Sequence, residues 1–497
     1  MKKIIPILLC LSMLLTVGIA AIPSSALSDS VSDSTWSEIE LKALVYQEGE
    51  YFFSELNSDY ENYDGIWKEV PEMGGEELQY CQWSMRGFSV TPDGKYALMG
   101  HLNGTTFRGC ALFDFATGTV TDVYYRHDSE QDQNIDVGPF SHAKGIAADD
   151  RGNVYCGFAF STNYNLVSLG IAHINDETKT FEELWEGPVY QFGDKPGDTN
   201  GLHVGVNGVE VAKVGEKYYC YLMLNYDYDA LYCYDVTDPS KPVLNKDFGT
   251  NGCIIFSEDD CQVVGEAGKL DEGYYMAVDS DGVIWLCVKF DNGSKGLMKI
   301  APDGSACAAS YLNDNAYSIC HAGKYILLGS KSGTVIKVYN DDDMSEIATV
   351  KYEEPYGTCI VRIQVVDDIL FVADGQESDT GLRNAILVAG LTADAQAKVD
   401  SMAKALSGDS GSDETATTET IEDATVTETE TETATATEAA TETKTEEVAD
   451  DTTAVTIADS TETAGKESGC ASVVGASAVG VAALILAGVG VSLRKKH

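Results

Sequence analysis

The sequence predicts an all-β fold, a six- to seven-bladed β-propeller ectodomain, followed by a disordered acidic stalk and a single C-terminal transmembrane helix. Three observations carry this expectation: one strand–turn–strand pattern that recurs six times over 84–391, a Thr/Glu-rich tract over 407–469, and an uncharged apolar run over 471–493. Four-stranded sheets of this kind bury their faces only against one another, and radial closure protects edges that separate sheets would expose.

The repeats come first. The opening turns read VTPDGKYALMG (90–100), AADDRGNVYCG (147–157), AKVGEKYYCYL (212–222), AVDSDGVIWLC (277–287), ICHAGKYILLG (319–329) and VVDDILFVADG (365–375). In five of the six a glycine (Gly94, Gly152, Gly215, Gly282, Gly323) supplies the positive φ of a tight hairpin, and β-branched and aromatic residues follow it. A second strand pair comes after each turn, as in CALFDFATGTVTDVYY and GLMKIAPDGSACAASYL. Successive turn glycines lie 58, 63, 67 and 41 residues apart, which is room for four strands per unit with insertions in the longer ones. Residues 27–83 are expected to close the ring with a missing strand or to supply an extra blade. The stretch 392–406 reads as a short helix leaving the propeller.

The two ends fix the expected address. Lys2 and Lys3, an apolar run and small residues near Ala20 and Ala26 make residues 1–26 a secretory signal. The run over 471–493 covers about 34 Å as a helix, enough for a hydrocarbon core of about 30 Å. Arg494, Lys495, Lys496 and His497 form a basic tail (494–497) that stays cytoplasmic. The expectation is an exported protein anchored in the plasma membrane by this one helix, with the ectodomain outside. The signal and the small-residue anchor with its short basic end resemble those of Gram-positive surface proteins.

Charge narrows the partners. The chain has 33 Lys+Arg against 79 Asp+Glu, a net −46, which repels nucleic acid and anionic bilayer surfaces. The tract over 407–469 holds 18 acidic residues against Lys444 and Lys466, and cannot offset the entropy of ordering. With that stalk at −16, the tail at +3 and the signal at +2, residues 27–406 keep −35 of the total. The 13 cysteines show no CxxC spacing, and most sit in apolar strand patterns as small hydrophobes. Cys253 and Cys261, on either side of a polar turn, are the one pair placed for a bridge.

In a propeller the innermost strands line the axial channel. Counting eight residues back from each turn glycine places Arg86, Lys144, Asn207, Tyr274 and Asn315 at the channel mouth, with Arg362 at the same level in the sixth unit. Such a ring of cations and hydrogen-bonding groups suits a carboxylate or sulfate. His142 and His203 are expected beside the same mouth, as binding groups or as an acid/base or metal-ligating pair. The long connections 128–141, 187–202 and 249–270 are expected on that face. His321 falls on the opposite one.

The phrases HAKGIAADDRGNVYCGF, MAVDSDGVIWLCV and FSVTPDGKYALMG resemble the inner strands of NHL, YVTN and SMP-30/gluconolactonase-like propellers across 84–391. WD dipeptides, kelch double glycines and Asp-boxes are absent. The SMP-30 resemblance implies a divalent cation held by an acidic residue and Asn or Asp. Asn207 and Asn315 suit that pattern, but no carboxylate stands at the matching level, and Arg86 and Lys144 would repel the ion. No metal site and no cofactor is assigned. The expected function is a cell-surface propeller that binds a polar small molecule, a glycan or a surface protein. The alternatives are an extracytoplasmic metal-dependent hydrolase or lyase using His142 and His203, and a structural envelope protein.

Overall fold

In the computed structural model, which describes residues 27–48, 67–70, 76–79, 85–101, 109–124, 141–160, 167–189, 204–256, 270–305, 307–331, 333–352, 359–376 and 383–407, the predicted turn glycines adopt positive φ. The angles are 70° at Gly94, 78° at Gly152, 62° at Gly215, 82° at Gly282 and 59° at Gly323. The sixth turn has no glycine. There Asp367 and Asp368 take φ of 50° and 59°, the two-residue loop whose twist matches its flanking strands.

Six antiparallel sheets follow from these turns. From the inside outward, blade 1 is Met85–Val90, Tyr96–His101, Cys110–Asp114 and Thr119–Tyr124; blade 2 is Ser141–Ala148, Asn153–Phe160, Val167–Asn175 and Thr180–Pro188. Blade 3 is Val204–Val214, Lys217–Tyr226 and Ala230–Asp235, whose outer side pairs with both Val243–Leu244 and Cys253–Ile255. Blade 4 is Leu270–Val278, Ile284–Phe290, Lys295–Ile300 and Cys307–Leu312, and blade 5 is Ser318–Ala322, Tyr325–Gly329, Val335–Asn340 and Glu346–Lys351. Blade 6 takes Cys359–Val366, Ile369–Gln376 and Arg383–Gly390 from the end of the propeller sequence. Its outermost strand, Lys42–Glu48, comes from the N-terminus and pairs antiparallel with Arg383–Gly390. The N-terminal stretch thus supplies the closing strand, and the extra-blade alternative is corrected to six blades among the described residues. Trp67–Val70 and Glu76–Gln79 form a separate two-stranded hairpin.

Each innermost strand lies against the next, and that of blade 6 lies against that of blade 1, so the ring is closed. The chain enters each innermost strand on one face, the mouth, and turns on the other, the base. The core sits between blades. Tyr155, Val209 and Leu222 pack between blades 2 and 3, and Met223, Met276 and Leu286 between blades 3 and 4. Each such side chain contributes about 1.5–3 kcal/mol of burial. The eight cysteines with described side chains are all buried, among them Cys110, Cys156, Cys220 and Cys287. Cys253 is one of these buried residues, and Cys261 lies outside the described residues.

A short helix, α1 (Asp33–Glu38), precedes the closing strand and buries Trp36 edge-to-face on Tyr325 at 5.3 Å. The expected exit helix is present as α2 (Ala393–Leu406), where the Thr392 hydroxyl accepts from the Ala395 amide at 3.2 Å. The expected signal (1–26), the stalk beyond Ser407 and the membrane span (471–493) lie outside the described residues. Among the described residues, no helix is long and apolar enough to cross a membrane.

Candidate ligand cavity at the mouth of the ring

The innermost strands of blades 1 to 4 depart from regular pairing at the positions that sequence counting singled out. Their registers shift between Met85 and Gly87, Ala143 and Gly145, Val206 and Gly208, and Gly273 and Met276. The residues left out of the ladder are Arg86, Lys144, Asn207 and the pair Tyr274–Tyr275. A bulge re-aims a side chain that strict alternation would send into a neighbouring blade. In three of these strands a glycine follows the bulge, and there the neighbouring backbone comes close. A Cβ at Gly87 would lie 2.5 Å from the Ala143 carbonyl oxygen, one at Gly145 2.8 Å from the Val209 amide, and one at Gly208 2.7 Å from the Tyr274 carbonyl oxygen.

These bulges bring Arg86, Lys144, Asn207 and Tyr274 to the lining of one narrow cavity, open to solvent. Tyr226, Tyr275, Tyr317, Lys331 and Glu272 complete its lining. Lys144 Nζ donates to the Tyr226 hydroxyl at 2.8 Å, and Asn207 Nδ2 donates to the Gly273 carbonyl at 2.9 Å. The Tyr274 hydroxyl donates to Glu272 at 3.0 Å. Tyr317 meets Tyr274 and Tyr275 edge-to-face, with centroids 5.0 and 5.5 Å apart, and Lys331 Nζ stands 5.9 Å from the centre of its ring. From blade 4, Tyr275 reaches across the ring and donates its hydroxyl to the Arg86 carbonyl at 2.5 Å. Among the described residues, three cations thus share the cavity lining with one carboxylate, against the sign of the whole chain.

Arg362 departs from its predicted place. In blade 6 the register shift falls between Ile360 and Arg362, so Val361 occupies the bulge and Arg362 points inward, 4% exposed. Its guanidinium pairs with Glu210 of blade 3, on the opposite side of the ring, and donates to the Met276 carbonyl at 3.1 Å. Glu210 lies three residues nearer the base than Asn207, so this ion pair crosses the axis deeper than the cavity. Burial pushes the Glu210 carboxyl up, and the Arg362 charge opposes that rise.

Asn315 is also not a lining residue. The innermost strand of blade 5 is only Ser318–Ala322, and its pairing with Tyr325–Gly329 shows no bulge. Asn315 stays in the preceding turn, where its amide donates to Asn313 Oδ1 at 2.9 Å, and Tyr317 takes its place. His142 lies in blade 2's innermost strand opposite Ala159, but its side chain and all of His203 fall outside the described residues. The connections 102–108, 125–140, 161–166, 190–203, 257–269, 353–358 and 377–382, which start and end at the mouth, lie outside them as well. His321 sits toward the base, 3.1 Å from Asp341 Oδ2 and stacked on Trp285.

Counting along innermost strands missed Tyr226 and Lys331 because second strands and their exits deliver them. Tyr317 and Glu272 belong to segments whose register the count did not follow. The pattern Arg86-Gly87, Lys144-Gly145, Asn207-Gly208 was the signal available for the bulges. Next to the cavity, burial and then the neighbouring Glu272 charge push the Asp229 carboxyl up to about 8, so Asp229 stays protonated at neutral pH.

Among solved structures the chain is similar to the Dos1 propeller, at 9% identity and a TM-score of 0.38 over 71% of this chain and 95% of that one. It is also similar to Saccharomyces cerevisiae Sqt1 (12% identity, TM-score 0.33, 60% of this chain and 70% of that one). A glucose dehydrogenase structure matches at 12% identity and a TM-score of 0.37, over 62% of this chain and 96% of that one. No protein-family model and no curated protein matches the chain. The class is set by the sheet order itself: a six-bladed β-propeller.

Proposed function

We propose that this chain is an exported, membrane-tethered propeller that binds a small anionic or glycan-like ligand in the cavity at its mouth. The observation that supports this best is the convergence of Arg86, Lys144 and Lys331 with four tyrosines in one solvent-open cavity, inside a chain of net charge −46. Charge-assisted donors there favour carboxylate, sulfate or phosphate groups over neutral ones. The apolar run over 471–493 and the signal-like residues 1–26 support the tether and the export.

The test is a thermal-shift panel on the full chain in detergent micelles. A ligand at about 100 times its Kd should stabilise the folded state by about 2.7 kcal/mol, visible as a rise of a few degrees. The reading requires shifts from anionic ligands and none from their neutral counterparts. A panel in which no anion shifts the transition would contradict it. Signal cleavage and protease access to the propeller on intact cells test the placement.

A further inference from the structure

We propose that blades 3 and 4 hold a calcium ion between them at the mouth end of their shared seam, bound by Asp229, Glu272 and the amide oxygen of Asn225. This goes beyond the anion reading and does not rest on it. The second hairpin of blade 3 sets two of the ligands. Leu224 pairs with Ala230, so Asn225 and Asp229 stand opposite each other one step beyond, and Tyr226, at φ 84°, turns the chain between them. Opposite residues share a face of the sheet, with Cβ atoms about 4.5–5.5 Å apart. Met223 and Leu231, two residues deeper on either strand, share that face and pack into the core between blades 3 and 4. The apolar seam therefore ends, toward the mouth, on a polar pair.

That pair is buried and incompletely used. Asn225 is 0% exposed and Asp229 4%, yet Oδ1 of each has no hydrogen-bond partner among the described residues. Buried oxygens left in this way are costly, and one cation would satisfy both. From blade 4, Glu272 brings a second carboxylate, whose Oε2 accepts from Tyr274 at 3.0 Å and whose Oε1 meets Asn225 Nδ2 at a long 3.5 Å. A half-turn of the amide gives up only that contact and would set Oδ1 toward Glu272 at a similar separation. Oxygens about 2.4 Å from a Ca²⁺ ion lie roughly 3.4 Å from their neighbours in its shell. Of the charges around Asp229, Glu272 and Asp271 outweigh Lys289, which is itself paired with Asp271 at 2.5 Å. The seam is thus locally negative although Arg86, Lys144 and Lys331 line the same mouth.

Among the described residues no three His, Cys, Asp or Glu side chains are placed for a metal. Here two carboxylates are completed by an amide oxygen. Such an all-oxygen, irregular set, finished by water, suits Ca²⁺ better than Mg²⁺, which demands a near-ideal octahedron, or Zn²⁺, which favours nitrogen and sulfur. Glu272 also lines the open cavity, which gives the ion a way in. Without the ion, a proton neutralises Asp229 in its place.

The experiment is terbium luminescence of the full chain in detergent micelles at about 0.15 M KCl, with Tb³⁺ standing in for Ca²⁺ and excitation through tyrosine. The 407–469 tract is acidic but holds no Tyr, Trp or Phe, so ions gathered there stay dark, whereas Tyr274 touches the proposed ligand Glu272. Ca²⁺ should displace the signal in one saturating step with a Kd of about 0.1–1 mM. Asp229→Asn and Glu272→Gln should each weaken Ca²⁺ about tenfold or more, and Asp281→Asn, on the exposed base turn of blade 4, should not. Circular dichroism in chelator checks that each variant is folded, and Glu272→Gln decides alone if Asp229→Asn is not. A signal that Ca²⁺ fails to displace, or one undiminished in the folded variants, would overturn the site.

Discussion

Arg362 and Glu210 show how much one residue's shift in register decides. As a mouth residue Arg362 would meet ligand; one position past the bulge, it forms a buried ion pair across the axis. Removing one partner of such a pair strands the other charge, so Arg362→Met should destabilise the protein by about 3–5 kcal/mol. Arg362→Met combined with Glu210→Leu should recover most of that loss, and urea denaturation of both variants measures it. Two other buried carboxyls set a pH dependence. Asp229 is pushed up to about 8 and Asp374 to about 7, in both cases first by burial. An unfolded chain would release these protons near pH 4. Between about pH 4 and 8 the folded state therefore binds more protons than the unfolded one, and this contribution to stability falls as pH rises. The transition temperature should drop between pH 6 and pH 8.5, and by less in an Asp229→Asn/Asp374→Asn variant.

At the scale of elements, the ring depends on bulges, close strand contacts and a borrowed strand. Gly87→Ala and Gly145→Ala each press a methyl group against neighbouring backbone, and each should cost about 1–3 kcal/mol in chemical denaturation. The N-terminal segment ties blade 5 to blade 6: Trp36 is fully buried against Tyr325, Asp33 accepts from Lys324 and the Tyr325 hydroxyl, and Lys42–Glu48 covers the edge of Arg383–Gly390. Trp36→Ala should cost about 3–5 kcal/mol. The hairpin turns were legible in sequence because a turn glycine states its φ. So was the closing strand, as one of two alternatives. The bulges were not, since an inserted residue leaves the apolar pattern almost unchanged, and only the glycines after Arg86, Lys144 and Asn207 marked three of them. For the same reason Arg86, Lys144, Asn207 and Tyr274 were found at the cavity, whereas Asn315 and Arg362, in blades whose innermost strands lack that bulge position, were misplaced.

For the whole molecule, charge works in two opposed senses. On the proposed reading the net −46 repels an approaching anion at long range, while the cations lining the cavity attract it at contact. Salt screens the distant repulsion more than the partly buried contacts, because the Debye length shrinks from about 30 Å at 0.01 M to about 8 Å at 0.15 M. The association rate of an anionic ligand should therefore rise over that range, the reverse of a protein whose whole surface steers its ligand, and stopped-flow tyrosine fluorescence would read it. The most direct measurement is the affinity of the full chain for its best anionic ligand before and after Lys144→Gln and Lys331→Gln are combined. Loss of two charge-assisted contacts predicts a weakening of about 100-fold or more with an unchanged unfolding transition. Undiminished affinity in that folded variant would mean the anion binds elsewhere and would contradict the cavity as the site.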